Sequence, residues 1–158
     1  MSTQQLTSKT LPSTDAFGSL LGAYAALSRE LSATLVAKHG LTINDYGTLL
    51  LLSRADDEGM RRIDLANALQ LSPSGITRLL DRLEEQGFVG KGACKEDARV
   101  SYAILTEAGL EKLREAAPDH IEDIDRRLSS SLSEEEIRTL HELLARLSDS
   151  GESCAPDA

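Results

Sequence analysis

The chain has 158 residues, of which 41% are hydrophobic and only 3% are aromatic, and its net charge is −9. So few aromatic residues require a core of Leu, Ile, Val and Ala, which is typical of helical proteins, and the acidic total taken alone argues against nucleic-acid binding. No apolar run approaches the ~18 residues that span a bilayer and the N-terminus lacks the apolar stretch of a signal peptide, so we expect no contact with a membrane.

Apolar residues in the N-terminal part recur at intervals of three and four, which predicts a long helix from about residues 13–15 to His39-Gly40. Residues 1–12 are expected to form a disordered tail. Thr42 can cap a second helix, which places several apolar side chains on one face. Residues 56–59 are expected to form a loop.

A third helix is predicted at about 62–69, and a fourth begins after Ser72, a good N-cap that is followed by Pro73. The fourth helix has a predicted buried stripe of Ile76, Leu79, Leu80 and Leu83. Gly87 can adopt the left-handed conformation that ends it. Two short helices joined by a turn of about three residues form a helix-turn-helix.

After Gly87 the pattern changes from helical to alternating. Val100, Tyr102 and Ile104 alternate with other residues, which predicts a strand, and residues 88–92 can pair with it across a turn at about 93–98. Glycines at 90 and 92 weaken the first strand, so we expect a mobile ribbon.

Two further helices complete the chain. Thr106 can cap a fifth helix, which carries a narrow apolar seam and in which Pro118 is expected to cause a kink or a break. Ser133 and Glu136 form a capping box that begins the sixth helix. Residues 149–158 are expected to be disordered.

The charge is unevenly distributed. Residues 61–99 hold seven Lys and Arg against six acidic residues, whereas the rest of the chain holds ten against twenty. Binding to DNA depends on the local field at the contact face more than on the total charge. The helix-turn-helix segment therefore remains a candidate for DNA binding, although an ordinary solvated surface has a similar mixture of charges.

Two segments resemble the MarR (multiple antibiotic resistance regulator) family of winged-helix transcription factors. They are IDLANALQLSPSGITRLLDRLEEQGFV at 63–89 and DARVSYAILTEAG at 97–109. The resemblance implies a mainly α fold, namely a winged helix-turn-helix with a two-stranded β-wing, flanked by N- and C-terminal dimerisation helices. Residues 41–106 would form the DNA-binding lobe, and residues 13–40 with 107–148 the dimerisation region.

The resemblance places the start of the fourth helix in the major groove. The candidate contacts there are Ser72, Ser74, Gly75, Thr77, Arg78 and Arg82. Arg78 is the best candidate base reader because its guanidinium matches the two acceptors of guanine, although it could merely solvate the helix. Arg82 is expected to meet a phosphate or a nearby acid. Gly75 either allows close approach of the DNA backbone or is simply tolerated in the first turn.

The resemblance also makes the strand pair a wing. Arg99 would enter the minor groove, whose negative potential attracts a guanidinium, and Asp97 would hold it by a charged hydrogen bond. A surface ion pair is the alternative. Lys91 and Lys95 would contact phosphates.

The cysteines and histidines allow weaker interpretations. Cys94 lies in the predicted wing, so its oxidation could disturb DNA contact, but Cys94 and Cys154 are expected to be incidental reduced thiols in a cytoplasmic protein. No histidine has a metal-ligand spacing, and neither a metal nor another cofactor is expected. Tyr24, His39 and Tyr46 are polar-tipped rings that could line a pocket for a small phenolic or carboxylate ligand, although such rings are more often packing groups.

The leading hypothesis is therefore a homodimeric, sequence-specific regulator of transcription. It would bind double-stranded DNA at a pseudo-palindromic operator and act as a repressor that a small-molecule inducer releases. The alternatives are a helical protein-interaction module that keeps the winged-helix shape without DNA binding, and a redox-responsive regulator. An enzyme is not expected, because the sequence has no catalytic Ser/His/Asp spacing, glycine-rich phosphate loop or paired carboxylates.

Overall fold

A computed structural model describes residues 11–56, 59–93 and 101–149 of the chain. Helices dominate these ranges, as the sequence predicts. The elements in chain order are α1 (Pro12–His39), α2 (Ile43–Ser53), β1 (Met60–Arg61), α3 (Arg62–Ala68), α4 (Pro73–Glu85), β2 (Val89–Ala93), β3 (Ser101–Leu105), α5 (Glu107–Ser129) and α6 (Glu134–Asp149). The chain divides into two compact units, of which one ends at Ala116 and the other begins at Ala117.

The predicted boundaries of the first two helices are correct to within a few residues. Pro12 occupies the first turn of α1, where its missing N–H costs nothing, so the predicted tail is too long by one residue. Gly40 ends α1 in the left-handed conformation, with φ of 68°. Thr42 and Asp45 form a reciprocal capping box that begins α2, since each side chain accepts a backbone hydrogen bond from the other residue.

The helix-turn-helix is formed by α3 and α4. Ser72 caps α4 by accepting a hydrogen bond from the backbone N–H of Gly75 at 3.1 Å. All four apolar residues of the predicted stripe are buried. Gly87 has φ of 75°, and the N–H of Phe88 donates to the carbonyl of Leu83 at 2.9 Å, which is the predicted ending. Both ends of α4 are therefore fixed by local sequence.

The sheet has three antiparallel strands in the order β1-β3-β2, so the prediction of a two-stranded wing was incomplete. The additional strand β1 pairs Met60 with Ala103 and follows the segment 56–59 that was predicted to be a loop. A strand of two residues is too short to give a periodic signal. Gly59 precedes it with φ of 80°, and a Cβ there would lie 2.1 Å from the carbonyl oxygen of Ala103, so only glycine fits.

The predicted hairpin pairing is observed in β2 and β3. Their register runs from Val89 opposite Leu105 to Ala93 opposite Ser101. Ala93 therefore belongs to the strand, whereas the prediction placed it in the turn. A Cβ on Gly92 would lie 2.8 Å from Cδ1 of Ile104, so this glycine makes room for the isoleucine side chain. The remainder of the predicted turn and Val100 lie outside the described residues.

Thr106 joins the end of α4 to the start of α5. Its hydroxyl donates to the carbonyl of Gly87 at 2.7 Å and accepts from the N–H of Gly109 at 3.0 Å. The predicted cap is therefore confirmed. Pro118 does not break α5, which runs without interruption from Glu107 to Ser129, so the break that the sequence allowed for is wrong. A proline removes one backbone donor, and the hydrogen bonds on either side can sustain the helix.

The C-terminal helix α6 begins at the predicted capping box. The N–H of Ser133 donates to Glu136 at 2.8 Å, and this bond holds the pKa of the Glu136 carboxyl below its ordinary value. Asp149 is the last helical residue, one position inside the predicted tail. No helix in the described part of the chain combines the length and apolar character of a membrane-spanning segment.

Candidate nucleic-acid interface

The exposed start of α4 presents several of the predicted DNA-contacting side chains. Ser74, Thr77 and Arg78 are exposed. The Ser72 hydroxyl accepts the capping hydrogen bond and lies 3.2 Å from that of Ser74, so its first role is to fix the helix end. A Cβ on Gly75 would lie 3.2 Å from the Ser72 Oγ, which gives this glycine a packing role beside the cap.

Arg78 and Arg82 differ in their surroundings although they lie one turn apart. Within the described residues, Arg78 has no carboxylate partner. Arg82 donates from Nη2 to Oδ1 of Asp45, whose side chain is only 2% exposed. Of the two partners expected for Arg82, a phosphate or an acid, the structure places the acid beside it. Arg78 is therefore the arginine of α4 that remains without an acidic partner among the described residues.

A second carboxylate holds two more cations near α4. Glu84 Oε1 lies 3.3 Å from Nη2 of Arg62 at the start of α3. Glu84 Oε2 lies 3.1 Å from Nζ of Lys91 on β2. The predicted phosphate contact Lys91 thus has an internal ion pair. Sequence reasoning did not single out Arg62, Glu84 or Asp45, because no local pattern links residues 22 or 37 positions apart.

Lys95, Asp97 and Arg99, together with Cys94, lie outside the described residues. The strands on either side end at Ala93 and Ser101, which pair with each other. The sheet therefore supplies a defined base for this segment.

The three candidate ligand residues do not converge within one chain. Tyr24 is 69% exposed, whereas Tyr46 and the side chain of His39 are buried. Tyr24 and His39 lie on the same helix, and their 15-residue separation corresponds to roughly 22 Å at 1.5 Å per residue. A pocket of ordinary ligand size cannot include both from the same chain.

The surroundings of His39 and Tyr46 are partly polar. His39 Nδ1 lies 3.5 Å from Oε1 of Glu115 on α5. The pKa of the Glu115 carboxyl is lowered, first by the hydrogen bond and charge of Lys112 and then by His39. Burial raises the pKa of the Tyr46 hydroxyl. Among the residues that the structure describes, no group of three or more acidic, His or Cys side chains could hold a metal ion.

Comparison with known proteins identifies the family. The model of the MarR family matches residues 39–100. The HTH-type transcriptional regulator MhqR of Bacillus subtilis is 34% identical over 112 residues, which cover 71% of this chain and 75% of that protein. A similar fold is found in AbsC, a MarR family transcriptional regulator from Streptomyces coelicolor. That structure has a TM-score of 0.75 and 32% identity, over 94% of this chain and 97% of AbsC.

A second solved structure adds a DNA complex to the comparison. Sco3205, a MarR family transcriptional regulator from Streptomyces coelicolor, was crystallised in complex with DNA. It is 25% identical to this chain, with a TM-score of 0.79 over 94% of each chain. The capped helix-turn-helix, the adjoining sheet and these similarities agree: the chain belongs to the MarR family of DNA-binding transcriptional regulators and is not an enzyme.

Proposed function

We propose that the chain is a homodimeric repressor that binds a pseudo-palindromic operator in double-stranded DNA and leaves it when a small ligand binds. The observation that carries this proposal is the exposed and capped start of α4. Its cap is formed by Ser72, and Arg78 projects from it without a carboxylate partner among the described residues. Sco3205, which has a similar fold, was crystallised in complex with DNA, and this supports DNA binding by the present chain.

The proposed readout combines one base-reading arginine with several supporting contacts. Arg78 can donate two parallel hydrogen bonds to guanine O6 and N7. Ser74 and Thr77 would contact base edges or phosphates beside it. Gly75 would allow the DNA backbone to come close.

The wing would contact the DNA beside the recognition helix. Arg99 is proposed to enter the minor groove with Asp97 holding its guanidinium, and Lys95 to contact a phosphate. These roles depend on the resemblance of the sequence to the family. The pairing of Ala93 with Ser101 supports them, because it places both ends of the wing segment on one sheet.

Exposed apolar side chains support a dimer. Phe17, Leu21 and Tyr24 on α1 are all exposed, at spacings that share one helix face. Leu143 and Leu147 on α6 are also exposed. Contiguous apolar patches of this kind usually mark an interaction surface. The proposed dimerisation region is residues 13–40 with 107–148, and its two-fold axis would place two recognition helices roughly 34 Å apart on the DNA.

We also propose that a small molecule controls the binding of DNA. A phenolic or carboxylate inducer would bind beside His39 and Tyr46, whose buried rings carry polar tips. Tyr24 would contribute only through the second chain, because of its distance from His39 along α1. A regulator of this kind would act on DNA in the cytoplasm, as the sequence leads us to expect.

Selection of DNA from a random library by the purified protein tests the proposal. We expect enrichment of an inverted repeat whose half-sites have centres about one helical turn apart. Sedimentation should give twice the chain mass of 17.1 kDa. A monomer, or a library that remains random, would contradict the proposal and favour a winged-helix module that binds another protein.

A further inference from the structure

Glu84 joins three elements of the DNA-binding lobe. It lies in the last turn of α4, and its two carboxylate oxygens bind different cations, Arg62 of α3 at 3.3 Å and Lys91 of β2 at 3.1 Å. The Glu84 side chain is 18% exposed, whereas that of Lys91 is 67% exposed. The acid is thus largely enclosed, while one of its partners can still reach solvent.

Four of the six described cations of this lobe are paired internally, and Arg54 and Arg78 are the exceptions. Arg61 binds Asp64, Arg82 binds Asp45, and Arg62 and Lys91 share Glu84. Sequence-independent affinity for DNA comes from cations that neutralise phosphates and release counterions. A cation that is already paired with a carboxylate must give up that pair before it gains a phosphate. Pairing therefore lowers the number of cations that act on DNA.

We infer that Glu84 reduces the affinity of the protein for DNA by keeping Arg62 and Lys91 from the phosphates. The inference rests on the proposed binding of DNA through α4 and the wing. Lys91 is the cation that loss of Glu84 releases first, because its ammonium group is the more exposed. Glu84 is thus an affinity-determining residue that acts through two others and does not itself touch DNA.

Substitution Glu84→Gln tests the inference in the full-length protein. Glutamine keeps the length of the side chain and an oxygen acceptor but removes the charge. Log affinity falls linearly with log salt concentration, and each released cation that gains a phosphate makes this slope steeper by about 0.9. At 0.1 M salt the affinity is then up to about eightfold higher. We expect scrambled duplex DNA to bind Glu84→Gln about three- to eightfold more tightly, with a steeper slope.

The chain offers a matched control one residue away. Glu85 is exposed and, within the described residues, has no cation partner. Glu85→Gln makes the same change in net charge, so it measures the general effect of removing an acid. We expect less than a twofold change in affinity and an unchanged salt slope for this variant.

Lys91→Gln supplies a test that leaves Glu84 in place. In the wild-type background it should leave the salt slope unchanged, because Lys91 is held by Glu84. In the Glu84→Gln background it should remove about 0.9 of the slope that Glu84→Gln added. A loss of about 0.9 from the wild-type slope would show that Lys91 already contacts a phosphate and would overturn the inference, even if Glu84→Gln fails to fold.

The remaining outcomes separate this inference from the proposed function. If wild type binds operator selectively but Glu84→Gln matches Glu85→Gln, the inference alone fails. Weaker binding by a folded Glu84→Gln protein at an unchanged slope would mean that Glu84 positions the wing for DNA, which also overturns it. If neither wild type nor Glu84→Gln binds any DNA, the proposed function fails first and the inference with it.

Discussion

Asp45 and Arg82 form an ion pair across 37 positions of the chain, and this pair fastens α2 to α4. The other carboxylate oxygen of Asp45 accepts hydrogen bonds at 2.8 Å from both the N–H and the hydroxyl of Thr42. One buried carboxylate therefore caps α2 and holds the helix that is proposed to read DNA. The orientation of α4 depends on this carboxylate as well as on apolar packing.

Loss of the Arg82 guanidinium should destabilise the fold. In Arg82→Ala the buried Asp45 carboxylate keeps its hydrogen bonds from Thr42 but loses the charged donor Arg82. The free energy of unfolding should therefore fall by about 1.5–3 kcal/mol. Urea denaturation measures this change. Arg78→Ala is the control, since it removes an exposed arginine from the same helix and should change stability by less than about 0.5 kcal/mol. Equal effects of the two substitutions would refute the anchoring role.

Arg78→Ala should instead reduce discrimination between DNA sequences. Loss of a bidentate contact to guanine costs about 1–3 kcal/mol, or roughly 5- to 150-fold in operator affinity. The affinity for scrambled DNA should fall much less, because that DNA lacks a guanine at the position that Arg78 reads. Arg54→Ala, at the exposed end of α2, controls for loss of positive charge. A similar loss on both DNAs would assign Arg78 to a phosphate.

Arg99→Ala tests the proposed wing contact. A guanidinium in the narrow minor groove gains from its strong negative potential, so operator affinity should fall about tenfold or more. The melting temperature should change little, by less than the equivalent of about 0.5 kcal/mol, because the proposed role of Arg99 is contact with DNA and not packing. Titration of operator DNA and a thermal scan measure both quantities. Unchanged affinity would remove Arg99 from the interface.

Gly109 should be intolerant of a side chain. A Cβ there would lie 2.1 Å from the carbonyl oxygen of Phe88, so Gly109→Ala must displace the start of α5 and should cost about 1–3 kcal/mol. Gly18→Ala is the matched control, because no atom of the described residues lies within 4 Å of its Cβ position in α1. Removal of that helical glycine should stabilise the protein by about 0.5–1 kcal/mol. Calorimetry should therefore show shifts of opposite sign.

Protonation of His120 should destabilise the protein in mild acid. Burial lowers the pKa of His120 in the folded chain, and the charge of Asp123 only partly opposes this effect. The unfolded chain, with a histidine pKa of about 6.5, then binds the proton more readily. Stability is fully present above that pH and is lost as pH falls through the folded pKa.

The dependence of unfolding on pH between about 7 and 5 measures this loss. His120→Gln should show a shallower decline in the free energy of unfolding than wild type. His141→Gln, which changes an exposed histidine on α6, should retain the wild-type decline. If the two variants behave alike, the burial of His120 does not contribute to the acid sensitivity.

Local signals predicted the elements that end or begin at recognisable residues. Ser72 and Pro73 start α4 and Gly87 ends it, so that helix could be placed from sequence alone. The strand β1 could not be placed from the sequence, because two residues are too few to show an alternating pattern. A break at Pro118 is absent, because a helix can tolerate one missing donor within continuous neighbouring turns.

Local sequence patterns could not predict which acidic residues pair with the cations of the candidate site. Glu84 meets Arg62 and Lys91, and Asp45 meets Arg82, only after the helices have packed. Sequence reasoning therefore treated Lys91 as a phosphate contact without its acid, and it allowed for an acid beside Arg82 without identifying Asp45. The separation of Tyr24 from His39, by contrast, follows from helical spacing and could have been recognised from the sequence.

Fluorescence-anisotropy titration tests the central claim most directly. The resemblance to the family leads us to propose an operator upstream of the protein's own gene. Purified protein would be titrated with DNA from that region and with scrambled DNA, each at two salt concentrations. The account predicts nanomolar binding to the upstream DNA that is selective over scrambled DNA and weakens steeply with salt. Equal, weak binding to both DNAs at either salt concentration would contradict repression of its own gene through α4 and the wing.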